Sequence, residues 1–411
     1  MSKIGIVGAG VAGLHLGLFL LQRGIIPTLY SELRPDEMRK ARLLNTTFLA
    51  GTAREQMRQL GVAHWDVPDT SVHEFDFSIT GLPSMGFRTP IRPPFQFIDM
   101  RLYLPKLLED FAERGGRVVT SGVLDAVAVT DLSAAHDLVV VASGRGSLAS
   151  MFPRIAERSP YIEPQRRLFA GLFRGVRFPQ PFRFTQQAVP GHGEAGEFQL
   201  LTFGGPVTAL LVLAVPGGAL EGITHIRHDD DPQAFNKEVL EFVRQHLPQV
   251  FARIEEPSRF GALGPSDVLQ GAIVPVVRRG VVELHPGRYA LALGDAHVTH
   301  DPIIGQGANA ASRAAWLLGE LLTARVAEGG DFDGEFCANA EARLWEMLQP
   351  ITEWSNAALM PPTPHALELL AAAARNAAIA EEFVKNFDEP RRQWEVLSKP
   401  EGTAAFLQRW S

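Results

Sequence analysis

One short segment limits the folds open to this chain more than any other. Ile4–Val7 is an apolar, β-branched run. Gly8-x-Gly10-x-x-Gly13 follows it directly, and the helically spaced "LHLGLFLLQRG" comes next, stopping at Gly24. "IPTLYSE" then reads as a second strand with Glu32 near its end. Strand, glycine turn, helix, strand and terminal acid together describe a βαβ dinucleotide unit. Gly8 would make the tight turn, Gly10 would admit a pyrophosphate at the helix N-terminus, and Gly13, next to Ala12, would allow close helix–strand packing. Glu32 would accept hydrogen bonds from the ribose hydroxyls.

A chain of 411 residues is too long for one simple core, so two packed domains are expected. Leu102–Arg114 reads as a helix, and "GRVVTS" and "AVAVTDL" read as strands. "HDLVVVASG" has the unbroken apolar run of a buried parallel strand. From Ser159 to Phe260, alternating segments broken by Gly and Pro predict an antiparallel sheet, joined by "FDFSI" and "FQFID" from earlier in the chain. "RYALALGD" returns to the buried-strand pattern, Ala308–Val326 reads as a long helix, and the remainder is mostly helical. The expected fold is α/β: a discontinuous Rossmann-like domain (residues 1–72, 99–158 and 261–330), an inserted β-rich substrate domain (73–98 and 159–260) and a C-terminal helical region (331–411).

A net charge of −7 argues against nucleic-acid or anionic-membrane partners. The single Cys337 leaves no disulfide framework and no cysteine metal knot. "MSKIGIVGAG" enters a strand with no apolar leader, and "TALLVLAVPGGAL" is too short to span a bilayer, so a soluble, cytoplasmic protein is expected.

Two later segments imitate the glycine pattern, from Gly144 and from Gly305. Neither builds a second strand–helix–strand unit with a terminal acid, so one dinucleotide and no separate nicotinamide domain is the reading. "DAHVTHD", Asp295 to Asp301, resembles a metal cluster through His297 and His300. Pro302, Gly305 and Gly307 make the segment a loop, however, and no HExxH-type motif completes it, so no metal is expected. Gly294-Asp295 at a strand end suits a ribityl chain, and the helix starting near Gly305, Gly307 and Ala308 would turn its positive end toward a reduced flavin. For the two histidines, a catalytic base and satisfied loop residues both stay open.

"GIVGAGVAGLHLGLFL", "RLLNT", "LGDAHVTHDPIIGQGANAAS" and "EEFVKNFDEPRRQW" together resemble the styrene monooxygenase/indole monooxygenase family over essentially the whole chain. The resemblance implies the hydroxybenzoate-hydroxylase fold, with FAD-binding of the GR2 type. It implies the epoxidase component of a two-component flavoprotein monooxygenase, with reduced FAD supplied by a separate NADH-dependent flavin reductase. O2 would add at flavin C4a as a hydroperoxide, and one oxygen would pass to a styrene-like alkene or indole. It places Arg42 and Arg101 near the flavin and its phosphates, Asn45 and Thr46 facing the ring, Pro302 offering its carbonyl near the flavin N5, and Asn309 among the cofactor-binding residues. A turn role for Asn45 and Thr46 stays open beside this.

Oxygen transfer needs a dry lining, for which Thr47, Leu49, Phe75, Phe77, Phe95, Phe97, Phe203 and Leu211 are the candidates. Thr47, Leu49, Phe75 and Phe95 stand where the family's styrene pocket carries polar residues, which leaves the natural alkene open. The helical tail offers surfaces for a homodimer. Two other functions compete: a single-component NAD(P)H-dependent aromatic hydroxylase, and a non-catalytic carrier of reduced flavin.

Overall fold

The computed structural model describes residues 2–410. A six-stranded sheet runs in the order 281–285, 288–292, 138–141, 4–7, 28–31, 117–120. Its pairs are parallel, except for the edge hairpin of Val281–His285 with Arg288–Ala292. The central strands Ile4–Val7 and Leu138–Val141 are buried at every position, as their uninterrupted apolar runs require. The helices Val11–Gln22 and Gly307–Ala327 cover one face, where Leu16, Leu20, Leu318 and Leu322 pack on Ile4, Ile6 and Val140.

A nine-stranded sheet forms the second layer system. Its centre runs Arg183–Val189, Gly193–Thr202, Gly205–Ala214 as a meander, with Arg167–Arg174, the strand that precedes them in the chain, on the far side of Gly205–Ala214. Period-two alternation divides its side chains. Leu210 and Val212 pack under the helix Pro232–His246 through Val239 and Val243, whereas Phe198, Leu200 and Ala209 join a phenylalanine-rich cluster on the other face. The C-terminal helices Pro364–Arg375 and Ala377–Lys385 close that cluster with Leu369 and Ile379.

Four expectations are corrected here. "AVAVTDL" is the helix Ala126–Leu132: its alternation imitates a strand, but the Asp125 side chain caps it by accepting from the Ala128 N–H, and Val129 is its one buried residue. The large sheet is not wholly antiparallel, because Val72–Ile79 pairs parallel with Arg183–Val189, a strand reached only after a long crossover. The boundary at 260/261 falls inside this sheet, since Gly261–Ala262 and Val268–Ala272 both pair with Arg167–Arg174. Phe48–Leu49, assigned to the first domain, pairs with Phe87–Phe97 and belongs to the same sheet.

Candidate functional site

The parallel strands all end on one side, and Gly8, Glu32, Ser121, Ala142 and Gly294 at those ends line a single long cavity of about 790 Å3. This is where an open parallel sheet binds ligands. The cavity continues between the two sheets to an apolar end built by Phe48, Phe97, Phe184, Phe198, Leu211 and Phe387.

The three fingerprint glycines do different work. Gly8 has φ +116°, and a Cβ there would stand 2.4 Å from the Ala142 carbonyl oxygen. A Cβ on Gly13 would stand 2.0 Å from the Gly8 carbonyl oxygen, so Gly13 lets the helix lie against its own turn. A Cβ on Gly10 would meet nothing within 4 Å, yet Gly10 lines the cavity at the start of Val11–Gln22. No side chain caps that helix and no acid lies in its first turn. Its free N–H groups and positive end therefore face open space, the arrangement that receives a pyrophosphate. Glu32 stands exposed at the rim.

On the opposite wall, Gly294 (φ +62°) brings its strand end close to Ala12, where a Cβ would be 3.1 Å from the Ala12 Cβ. Asp295 lines the cavity with Arg145, their side chains 3.5 Å apart. Asn45, Thr46 and Thr47 line it from the loop before Phe48–Leu49, and the Thr47 hydroxyl donates to Asn45 Oδ1 at 2.6 Å, fixing that amide. Pro302, Gly305, Gly307 and Ala308 line it beyond. The Pro302 carbonyl accepts the Gly305 N–H at 2.9 Å, closing a short turn. Gly305, at φ +64°, makes room for Phe48, whereas Gly307 opens on space within 4 Å.

The structure redirects other candidates. Arg42 is about 60% exposed and donates to Asp229 and to the Pro265 carbonyl, not into the cavity. Arg101 is buried, forked on Asp99 and bonded to Asp267 at 2.7 Å, which stitches the start of Met100–Glu113 to the 265–267 turn. Neither is a cavity residue. Asn309 also stays out: its amide accepts from the Ala50 N–H at 2.9 Å and donates to the Phe48 carbonyl at 3.2 Å, pinning the strand behind the Asn45 loop. Phe203, at 54% exposed, sits on the outer turn between Thr202 and Gly205. Leu49, Phe75, Phe77 and Phe95 pack one layer behind the wall, with Phe95 stacked on Phe48 at 4.7 Å and Phe75 against Phe184 at 5.2 Å. Phe97 and Leu211 do reach the surface of the cavity.

Sequence reasoning passed over Phe48, Phe184, Gln186, Glu194, Phe198 and Phe387, and weighed Asp301 only as a metal ligand. Alternation could have found several of them: Phe184 and Gln186, and Glu194 and Phe198, share one face of neighbouring strands. Phe387 could not be found that way, because it arrives from the C-terminal tail and packs on Phe75 and Trp354.

His297 and His300 are both buried and held neutral, burial pushing each down to about 4. His300 Nε2 lies 3.2 Å from the Thr352 hydroxyl of Gly334–Ala358, while the ring of His297 lies against Gly280. His300 also lines the cavity, whereas His297 does not. Among the described residues, no group of three or more His, Cys, Asp or Glu side chains is placed to hold a metal, and no helix is long and apolar enough to cross a membrane.

Residues 144–253 match the family model described as the styrene monooxygenase A putative substrate binding domain. The chain is 38% identical to the styrene monooxygenases StyA of Pseudomonas fluorescens and of a Pseudomonas species, over 97% of this chain and 96% of each relative. Among solved structures, it resembles the flavin-dependent brominase Bmp2 (TM-score 0.70, 15% identity, all of both chains). The myxobacterial chondrochloren halogenase CndH is also similar (TM-score 0.62, 14% identity, 98% of both chains). So is PqsL, a probable FAD-dependent monooxygenase from Pseudomonas aeruginosa (TM-score 0.58, 16% identity, 93% of this chain and 99% of that one). At these identities the structural likeness concerns the fold.

Proposed function

This chain belongs to the styrene monooxygenase family, and from that premise we propose that it is the oxygenase component of a two-component, FAD-dependent system that epoxidises styrene-like alkenes or indole. One observation carries the reading. A single cavity joins the open glycine turn at Gly10 to a phenylalanine-walled end, passing Asn45, Thr46, Asp295 and Pro302 on the way. The chain's own groups fit the cofactor at each point. Gly10 and the first amides of Val11–Gln22 would hold the pyrophosphate, Glu32 the adenosine ribose, and Asp295 the ribityl hydroxyls. Asn45, Thr46 and the 302–308 turn would flank the ring, with the positive end of Gly307–Ala327 toward it.

Reduced FAD, when bound, supplies the two electrons that make one atom of O2 available for transfer to an alkene. The protein's part is to orient the alkene and exclude water, which Phe48, Phe97, Phe184, Phe198 and Phe387 do by walling the inner end. Such a chamber favours a catalyst over a carrier of reduced flavin, since a carrier has no use for a second, apolar compartment. The reduced flavin would come from a separate NADH-dependent reductase.

The test combines the protein with FAD, a flavin reductase, NADH and either styrene or indole. Epoxide or indigo formation is expected. Absence of oxygen transfer to any alkene in a panel would refute the reaction, and bleaching of bound FAD by NAD(P)H without reductase would favour a single-component hydroxylase.

A further inference from the structure

Gln186 lies in the strand Arg183–Val189, two residues past Phe184, and strand alternation puts both on the face that lines the inner end of the cavity. The register fixes its neighbours. Gly196 is its partner on Gly193–Thr202, and Leu211 is the partner of Gly196 on the next strand. A Cβ at Gly196 would stand 2.9 Å from the Thr185 carbonyl oxygen, so that position stays bare and no side chain separates Gln186 from Leu211. On the other flank its partner is Phe77. Gln186 is therefore a half-buried amide on a wall otherwise made of Phe184, Phe198 and Leu211.

Other glutamines of this sheet are tied to the chain. Gln187, on the opposite face, accepts from the Ser78 hydroxyl at 2.6 Å and donates to the Thr80 hydroxyl at 2.8 Å. Gln199 accepts from the Arg183 N–H and donates to Glu197, and Gln270 donates to the Ile226 carbonyl at 2.7 Å. Glu194, the other polar side chain on the cavity face, has both oxygens on Arg166, at 2.9 and 3.1 Å. Among the described residues, none bonds to the Gln186 side chain. Its carbonyl acceptor and its two N–H donors stay free on a wall of the chamber.

Water can serve that amide while the cavity is empty, but an arene that fills the chamber displaces it. A hydrocarbon such as styrene would then leave a buried amide unpaired, which is costly. A ring N–H restores the lost bond. We propose that Gln186 Oε1 accepts a ring N–H, so that the chamber selects an indole-type heteroarene over a hydrocarbon alkene. This rests on reading the cavity as an oxygen-transfer chamber. A bond at the ring nitrogen also stops the flat ring from turning in its plane, which apolar walls alone do not do. A site built to bond a substrate N–H rejects the analogue without it far more sharply than apolar contact does.

The test compares three rings on the FAD-loaded protein: indole, indene and N-methylindole. Indene keeps the shape and lacks the N–H, and N-methylindole keeps the electron-rich heterocycle and lacks the N–H. Calorimetry gives Kd for each, and turnover with a flavin reductase gives kcat/KM. Wild type should bind indole about ten- to a hundred-fold more tightly than indene, with N-methylindole behaving like indene. Gln186→Leu should abolish that preference, weakening indole and strengthening indene, and kcat/KM should follow. Because no bond within the chain is lost, the variant should melt within a few degrees of wild type and keep its Kd for FAD within about two-fold.

The wild-type comparison needs no variant: equal affinity for indole and indene overturns the proposal. So does a preference for indole that survives in Gln186→Leu. A large loss of FAD affinity in the variant also overturns it, since the amide would then be a cofactor contact. If none of the rings is oxidised while the binding order holds, the functional reading fails and the assignment of Gln186 stands.

Discussion

Gly10→Val separates the ligand-binding role of the glycine turn from its folding role. Gly10 has φ −83° and ψ −176°, extended backbone that valine adopts without strain, and a Cβ there meets no atom of the chain within 4 Å. Two small terms act on the apoprotein. Loss of glycine's unfolded-state freedom stabilises by roughly 0.4–1 kcal/mol. Loss of a favourable N-cap residue costs about the same. The net change should lie within about 1 kcal/mol of zero, barely moving the melting temperature of a chain this size.

The isopropyl group instead occupies the space before the helix N-terminus, where a pyrophosphate must approach. Loss of even two charge-assisted N–H contacts, at about 1.5–3 kcal/mol each, raises Kd for FAD by at least about a hundred-fold. Gly13→Ala is the control with the opposite signature. Its Cβ would sit 2.0 Å from the Gly8 carbonyl oxygen, so the helix must shift and the apoprotein loses on the order of 3 kcal/mol. The assay pairs thermal unfolding of both apoproteins with FAD titration by fluorescence quenching. A Gly10→Val protein that binds FAD like wild type would show that this turn is not the phosphate cradle, and the cofactor assignment would fall with it.

Phe203→Ser, on an outer turn, should change stability by less than about 0.5 kcal/mol and leave epoxidation as in wild type; a changed product profile would return Phe203 to the substrate path. Asn309→Ala strands the Ala50 N–H and the Phe48 carbonyl and should destabilise by about 2–4 kcal/mol in denaturant unfolding, with FAD affinity following only as the Asn45 loop loosens. Arg42→Ala removes an exposed pair with Asp229 and should leave Kd for FAD within about two-fold; a larger loss would show that the arginine leaves Asp229 to reach the cofactor. His15, His297 and His300 each lie near 4 when folded against an ordinary 6.5. The unfolded chain therefore gains protons that the folded chain refuses, and stability falls as the pH drops from about 6.5 to about 4, by on the order of 3 kcal/mol for each group. His300→Gln should flatten part of that fall in a pH series of unfolding midpoints.

The parts of the site legible in the sequence are those where one short segment does the whole task. Gly8, Gly10 and Gly13 are set by local backbone geometry, and Asp295 by its place at a strand end. Side chains whose partners lie far along the chain were not legible in the same way. Arg42 and Arg101 carry the charge a phosphate would want, but Asp229, Asp99 and Asp267 take them. Asn309 lies one helical step past a cavity-lining residue and turns its amide to Phe48 and Ala50.

The phenylalanines show the same division most plainly. Apolar alternation along Val72–Ile79 and Phe87–Phe97 announces which side chains leave water, and Phe75, Phe95 and Phe97 are indeed buried. It says nothing of whether another layer lies beyond them. Phe48, Phe184 and Phe387 are inserted by other parts of the chain, so Phe75 and Phe95 become the backing of a wall whose surface others form. Asp301 follows the same logic in charge: its sequence shows an acid before a proline, and only the prior pairing of Arg166 with Glu194 leaves it without a cation. By itself the sequence determined the dinucleotide turn, the layer order and the family, because backbone sterics and hydrophobic period act within a few residues. The tertiary structure alone decided which side chains meet in the cavity, because packing and burial depend on neighbours hundreds of residues away.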